Sequence, residues 1–129
     1  MKFNESNVRE EFDKEIGQGI TKITLNNDWA EPYFEVYTED NEEYMITENE
    51  ETAEAIAISR VKQDLEEEPE IFNKGWLESM MNDVLENESF IDHASKEAVE
   101  ADGFAHFLGT YDGDYTIMTN SGFVIMRLN

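Results

Sequence analysis

Two histidines, thirty-one carboxylates and no cysteine define the side-chain chemistry open to this 129-residue chain. His106 lies in the segment 102–115, where Asp102, Tyr111, Asp112 and Asp114 are close to it in sequence. A histidine oriented by a carboxylate is the core of general acid–base catalysis. The same spacing lets His106 bond to backbone where a helix gives way to a strand, and that structural role is the expected one. His93 has Asp92 beside it, but adjacent residues on a helix do not face each other. Asp112-Gly113-Asp114 raises the question of Ca²⁺, which takes several oxygen ligands from a tight loop. The twelfth position counted from Asp112 is Phe123, not the glutamate of an EF-hand loop, so Asp112-Gly113 reads as a plain turn. Nucleotide-binding, zinc-protease and nucleophile-elbow signatures do not occur. The lack of cysteine removes disulfides, thiolate metal sites and cysteine nucleophiles. With so many acids, paired-carboxylate spacings arise by chance. The expectation is a non-enzymatic protein with no metal and no cofactor.

The elements that must position these groups follow from periodicity. Val8, Phe12 and Ile16 recur every four residues and predict a helix over 6–16, with Ser6 as N-cap and Gly17 as a left-handed end. Residues 20–25 read as a strand. Tyr33 to Thr38 alternates with period two, which puts Phe34 and Val36 on one face, and a turn at 39–42 leads into a partner strand over 43–47. Thr47 and Glu50 have capping-box spacing, opening a helix that buries Ala53, Ala57, Val61 and Leu65 and breaks at Pro69. A helix over 70–85 carries Phe72, Trp76, Met80 and Met81, and another runs from 89 to 101, stopping near Asp102-Gly103. Strands over 115–119 and 123–128 close the chain as a hairpin. The order α-β-β-β-α-α-α-β-β predicts an α+β fold: an antiparallel sheet, a three-stranded meander plus a C-terminal hairpin, covered by helices. Length, and the absence of linkers and repeats, favour a single acidic α+β domain over residues 1–129.

Charge narrows the partners. Nine Lys+Arg against 31 Asp+Glu leave a net charge of −22. That balance argues against direct contact with nucleic acid or an anionic membrane, both of which demand basic patches. No apolar run approaches the ~20 residues of a membrane span, and residues 1–5 lack the apolar core of a secretory signal, so the cytoplasm is expected. Aromatic residues make up 12%, which favours a folded chain over an acidic disordered tail. The acids are concentrated: residues 35–70 hold 14 of them with 2 bases. The first run comprises Glu35, Glu39, Asp40, Glu42, Glu43, Glu48, Glu50, Glu51 and Glu54, and the second includes Asp64, Glu66, Glu67 and Glu68. A folded domain with carboxylates arrayed this way can enter a Lys/Arg-lined groove that otherwise holds DNA. If the turn at 39–43 and the helix at 48–68 share a face, these residues form one partner-binding surface.

The segment Asp102-Gly103-Phe104-Ala105-His106-Phe107-Leu108-Gly109-Thr110-Tyr111-Asp112-Gly113 resembles a motif of small, acidic, uncharacterised proteins encoded by tailed bacteriophages. The matching positions are Asp102, Gly103, His106, Phe107, Leu108, Tyr111, Asp112 and Gly113. Those proteins often carry a basic residue and a glycine where this chain has Phe104-Ala105. The resemblance implies a phage origin, and a motif that ends a helix ahead of a terminal hairpin; it implies no activity. Acidity and phage origin together point to an inhibitor that mimics DNA inside the host cell. Its expected partner is a basic nucleic-acid-binding host protein, with CRISPR and restriction nucleases foremost because their DNA channels are basic. The alternative is a non-catalytic adaptor or virion-associated module that docks through Trp76, Met80 and Tyr111, its acidity serving solubility.

Overall fold

A computed structural model of the chain describes residues 1–29, 31–67, 88–109 and 115–129. The first element, α1 (Glu5–Glu15), buries Val8 and Phe12 one turn apart, and Gly17 ends it at φ +70°. Its N-cap is Asn4, whose Oδ1 accepts the Asn7 N–H at 2.8 Å. The expected cap, Ser6, lies inside the first turn. Asn and Ser cap about equally well, so spacing alone does not choose between them.

Three strands follow as an antiparallel meander: β1 (Ile20–Asn26), β2 (Tyr33–Thr38) and β3 (Glu43–Thr47). Register shifts between Ile20 and Lys22, and this irregularity lets both Ile20 and Ile23 reach the α1 side despite their odd spacing. The β2–β3 turn closes with Asn41 N–H donating to Thr38 O at 3.1 Å and Thr38 N–H to Glu42 O at 3.0 Å. Asn41 takes φ +61°, a left-handed position that asparagine tolerates better than most residues.

Helix α2 (Glu50–Glu67) opens differently from the capping-box expectation. Asn49 is the cap, its Oδ1 accepting the Thr52 N–H at 2.7 Å, while Thr47 is fully buried at the end of β3 and donates to Asn49 O. The ladder to the C-terminal hairpin holds Thr47 opposite Val124, so it is not available to start the helix. Helix α3 (Glu88–Asp102) stops at Gly103, φ +86°. A short α4 (Phe104–Leu108) follows, which places His106 on a helix and not in a loop. The helix expected over 70–85 lies outside the described residues.

Strands β4 (Thr116–Met118) and β5 (Val124–Arg127) complete a five-stranded antiparallel sheet of order β1-β2-β3-β5-β4. The fold is therefore α+β, with the described elements in the order α-β-β-β-α-α-α-β-β, and the hairpin joins the meander through β5 against β3. Alternation along the strands feeds two cores. Phe34, Val36, Tyr44, Ile46 and Ile125 pack on Val8 and Phe12 of α1. Tyr33, Met45, Val124 and Met126 face Ala53, Ile56, Ala57 and Val61 of α2, with Val99 and Leu108 behind. The sheet is thus the middle of three layers, with α1 on one face and α2 on the other.

Candidate functional site

The β2–β3 turn projects Glu39 and Asp40 into solvent. Its base is fixed by Glu39 N–H donating to Gly19 O at 3.0 Å. A Cβ at Gly19 would meet the Glu39 carboxylate at 2.7 Å, so the bare glycine allows this close approach. Glu35 and Glu43 lie behind the turn on the α2 side of the sheet, opposite Met45 and Tyr37 respectively. Tyr37 donates its hydroxyl to Glu35 at 3.2 Å, and the negative charge of Glu35 raises the phenol's pKa.

Glu42 belongs to a different arrangement. One carboxylate oxygen accepts the Tyr44 hydroxyl at 2.7 Å and the Gln18 amide at 2.6 Å; the other faces the Arg127 guanidinium at 3.2 Å. The hydrogen bonds from Tyr44 and Gln18, then the Arg127 charge, hold Glu42 below its ordinary pKa against the opposing effect of burial. Burial, followed by the Glu42 hydrogen bond and charge, pushes the Tyr44 phenol up to about 12. The Arg127 guanidinium also stands 5.4 Å over the Tyr115 ring. Glu42 is thereby committed to joining the turn to the C-terminal hairpin, and its carboxylate is not part of the solvent-facing set.

The other acids of the first run surround the start of α2. Glu48, Glu50 and Glu51 are exposed, whereas Glu54 is half-buried and lines a shallow groove of about 270 Å³ with Val99, Glu100, Gly103 and Phe104. Asp64 and Glu66 are exposed near the other end, where the last turn of α2 contains no base. Glu67 is the last residue of α2, and Glu68 lies outside the described residues.

The turn at 39–42 and the start of α2 stand at opposite ends of β3. Five residues at about 3.3 Å each separate them by roughly 15 Å. Along α2, the acids of the first and last turns are about 20 Å apart at 1.5 Å per residue. Both spacings exceed the ~8 Å Debye length at physiological ionic strength. The acids that the sequence brings together therefore form three groups: the β2–β3 turn, the start of α2 and its end.

The bases are largely engaged elsewhere. Arg9 pairs with Glu5 at 3.3 Å, Lys14 with Glu10 at 3.5 Å and Lys62 with Asp92 at 2.6 Å. Arg60 donates to Phe107 O at 3.2 Å and stands over the Trp29 ring, and Lys22 stands over Tyr37. Among the described residues, no cation lies within ion-pair range of Glu39, Asp40, Glu48, Glu50, Glu51, Asp64 or Glu66.

The residues of possible catalytic interest are dispersed. His93, on the exposed side of α3, faces Glu97 at 3.0 Å one turn on, while its sequence neighbour Asp92 turns to Lys62. His106 is exposed on α4 with its ring edge-on to Phe107, centroids 4.9 Å apart. Asp102 is exposed at the end of α3, and Gly103 makes the left-handed break between the two helices. Tyr111, Asp112, Gly113 and Asp114, like Trp76 and Met80, lie outside the described residues. Among the described residues, no three His, Asp or Glu side chains are grouped to hold a metal ion, and no helix is long and apolar enough to cross a membrane. Sequence reasoning missed the link from Gln18 and Arg127 to Glu42 because no local pattern connects residues so far apart.

Comparison with protein-family models, with curated proteins and with solved structures returns no match to this chain.

Proposed function

We propose that this chain is a phage-encoded mimic of nucleic acid that occupies the basic cleft of a host DNA- or RNA-binding protein in the host cytoplasm. CRISPR and restriction nucleases are the favoured targets. The observation that carries the reading is that Glu39, Asp40, Glu48, Glu50, Glu51, Asp64 and Glu66 are exposed and, among the described residues, have no cation within ion-pair range. Those at the end of α2 add a second physical point. A helix C-terminus carries partial negative charge, so Asp64 and Glu66 oppose the helix they sit on by a few tenths of a kcal/mol each or more. Acids kept where they weaken the fold are accounted for by what they bind.

Net charge alone would be too dilute for mimicry. An accessible surface of 7514 Å² divided by 22 charges is about one per 340 Å², against one per ~1.7 Å of axis on a DNA duplex. The three groups raise the density locally and would each replace a set of phosphate contacts, leaving base contacts unimitated. Such a protein competes through steering and ion pairing, and its affinity falls steeply with salt.

The test is charge reversal by group. Glu39→Lys with Asp40→Lys, and separately Asp64→Lys with Glu66→Lys, are expected to weaken capture of basic nucleic-acid-binding proteins from a bacterial lysate at low salt. Capture unchanged by both pairs would overturn the reading and leave an adaptor whose acidity serves solubility.

A further inference from the structure

Four of the five residues from Glu39 to Glu43 are acids. Consecutive Cα atoms about 3.8 Å apart bring like charges within reach of one another before salt screens them, so this turn repels itself. Exposed loops are ordinarily the mobile parts of a fold. The β2–β3 turn is instead held along its backbone. The N–H groups of Thr38 and Asn41 are bonded within the turn, and that of Glu42 donates to the Thr38 hydroxyl at 3.2 Å. Two more are held from outside. Glu39 N–H donates to Gly19 O, in the link between α1 and β1, and Glu43 N–H donates to Asn129 Oδ1 at 2.8 Å. The Asn129 amide also donates to Asn41 O at 2.9 Å, so one side chain spans the turn from Asn41 to Glu43.

Residues 127–129 act on the turn as one segment. Leu128 N–H donates to Glu43 O at 2.8 Å, one step beyond the Tyr44–Arg127 pair of the β3–β5 ladder. Arg127 donates from Nε to Asn129 O at 2.8 Å, which fixes that residue, while its Nη2 meets Glu42 at 3.2 Å. From the other side Gln18 donates to Glu42, and the Glu39 carboxylate lies against Gly19, where a β-carbon would stand 2.7 Å from it. We propose that Gly19, Arg127 and Asn129 are positioning residues for the acidic turn, holding Glu39 and Asp40 in a fixed arrangement that selects a partner whose cations are themselves fixed on rigid elements. Ordering is then completed on folding and not on binding, which removes part of the conformational cost of association. A loose acidic loop takes any flexible polycation equally well, whereas a held one favours bases set at regular spacing, as on a helix face. The inference rests on the mimicry reading for the cationic nature of the partner.

Two peptides of ~20 residues and equal charge are the probes: a polyalanine helix with lysine at every fourth position, and the same lysines separated by glycine, which forms no helix. In titrations at low salt, read at the Glu39 and Asp40 amide resonances, the wild-type chain is expected to bind the helical peptide about fivefold more tightly, the scale of one or two side chains already ordered. Gly19→Ala, at an exposed site, displaces the Glu39 carboxylate without altering charge or the cores, and Asn129→Ala frees the turn at Asn41 and Glu43. Each is expected to remove the preference for the helical peptide at unchanged melting temperature. In the free wild-type chain the amides of Glu39, Asn41, Glu42 and Glu43 are expected near the rigid-backbone order parameter of about 0.85. Values below about 0.6 there would overturn the inference, as would equal binding of both peptides or a preference that survives both substitutions. If neither peptide shifts the Glu39 and Asp40 resonances, the turn meets no cation, and the mimicry reading of that turn fails and takes the inference with it.

Discussion

Replacing Asp64 and Glu66 with lysine should make this protein more stable, although the substitutions sit on its proposed binding surface. Both carboxylates are exposed near the end of α2, where no base is present in the last turn. A charge of the correct sign at a helix terminus contributes about 0.3–1 kcal/mol, and one of the wrong sign costs a similar amount. Full exposure favours the lower end, so reversing two sites is expected to yield roughly 1–2 kcal/mol at low ionic strength. At about 2.1 cal/mol/K of unfolding entropy per residue, 129 residues translate each kcal/mol into roughly 4 °C. The double variant should therefore melt about 4–7 °C higher, followed by circular dichroism at low salt, and the gain should shrink well below half at ~0.5 M salt. Glu50→Lys with Glu51→Lys is the control. It makes the same change in net charge, from −22 to −18, but at the positive end of the same helix, and is expected to lower the melting temperature. Equal shifts in both double variants would show that net charge alone acts. A gain at the end of α2 that persists undiminished at high salt would refute the electrostatic cause.

Three further outcomes follow from the same geometry. Glu42→Gln should cost about 1–3 kcal/mol through loss of the Arg127 ion pair and weaker bonds to Tyr44 and Gln18. Because the folded protein holds Glu42 below its ordinary 4.5, that stability is present above about pH 4.5 and is lost as pH falls through the folded value, so wild type and variant should converge in acid urea titrations. Tyr44, pushed up from 10.0 to about 12, should be missing from phenolate absorbance until near pH 12, and its contribution to stability, complete below pH 10, should disappear as pH rises to 12; ionisation along with the surface tyrosines would contradict its burial. Asn4→Ala and Asn49→Ala should each cost about 1 kcal/mol in chemical denaturation, whereas Ser6→Ala should be close to neutral; a costly Ser6→Ala would restore it as the cap of α1.

Periodicity carried much of the fold. The alternation from Tyr33 to Thr38 assigns Phe34 and Val36 to one core and Tyr33 to the other, and the four-residue spacing of Val8 and Phe12 marks the buried side of α1. Helix starts were less legible, since Asn4 and Ser6, or Thr47 and Asn49, offer side-chain oxygens of similar reach and only the surrounding strands decide. Nothing local told that β5 pairs with β3; that is fixed by matching apolar faces, Ile46 against Ile125 and Met45 against Met126. Helix α4 was invisible because five residues after a glycine fall below the length at which a pattern registers. At the site, Glu39, Asp40, Glu48, Glu50 and Glu51, expected as partner-binding residues, are exposed. Sequence could not reveal that Glu42 is tied down by Arg127.

Mimicry of nucleic acid is tested most directly by displacement. Immobilised protein exposed to bacterial lysate at low salt should retain a nucleic-acid-binding protein, and duplex DNA added at constant ionic strength should release it in proportion to its own affinity for that protein. A retained partner that ignores duplex DNA, or that binds DNA and this chain together, would contradict the account.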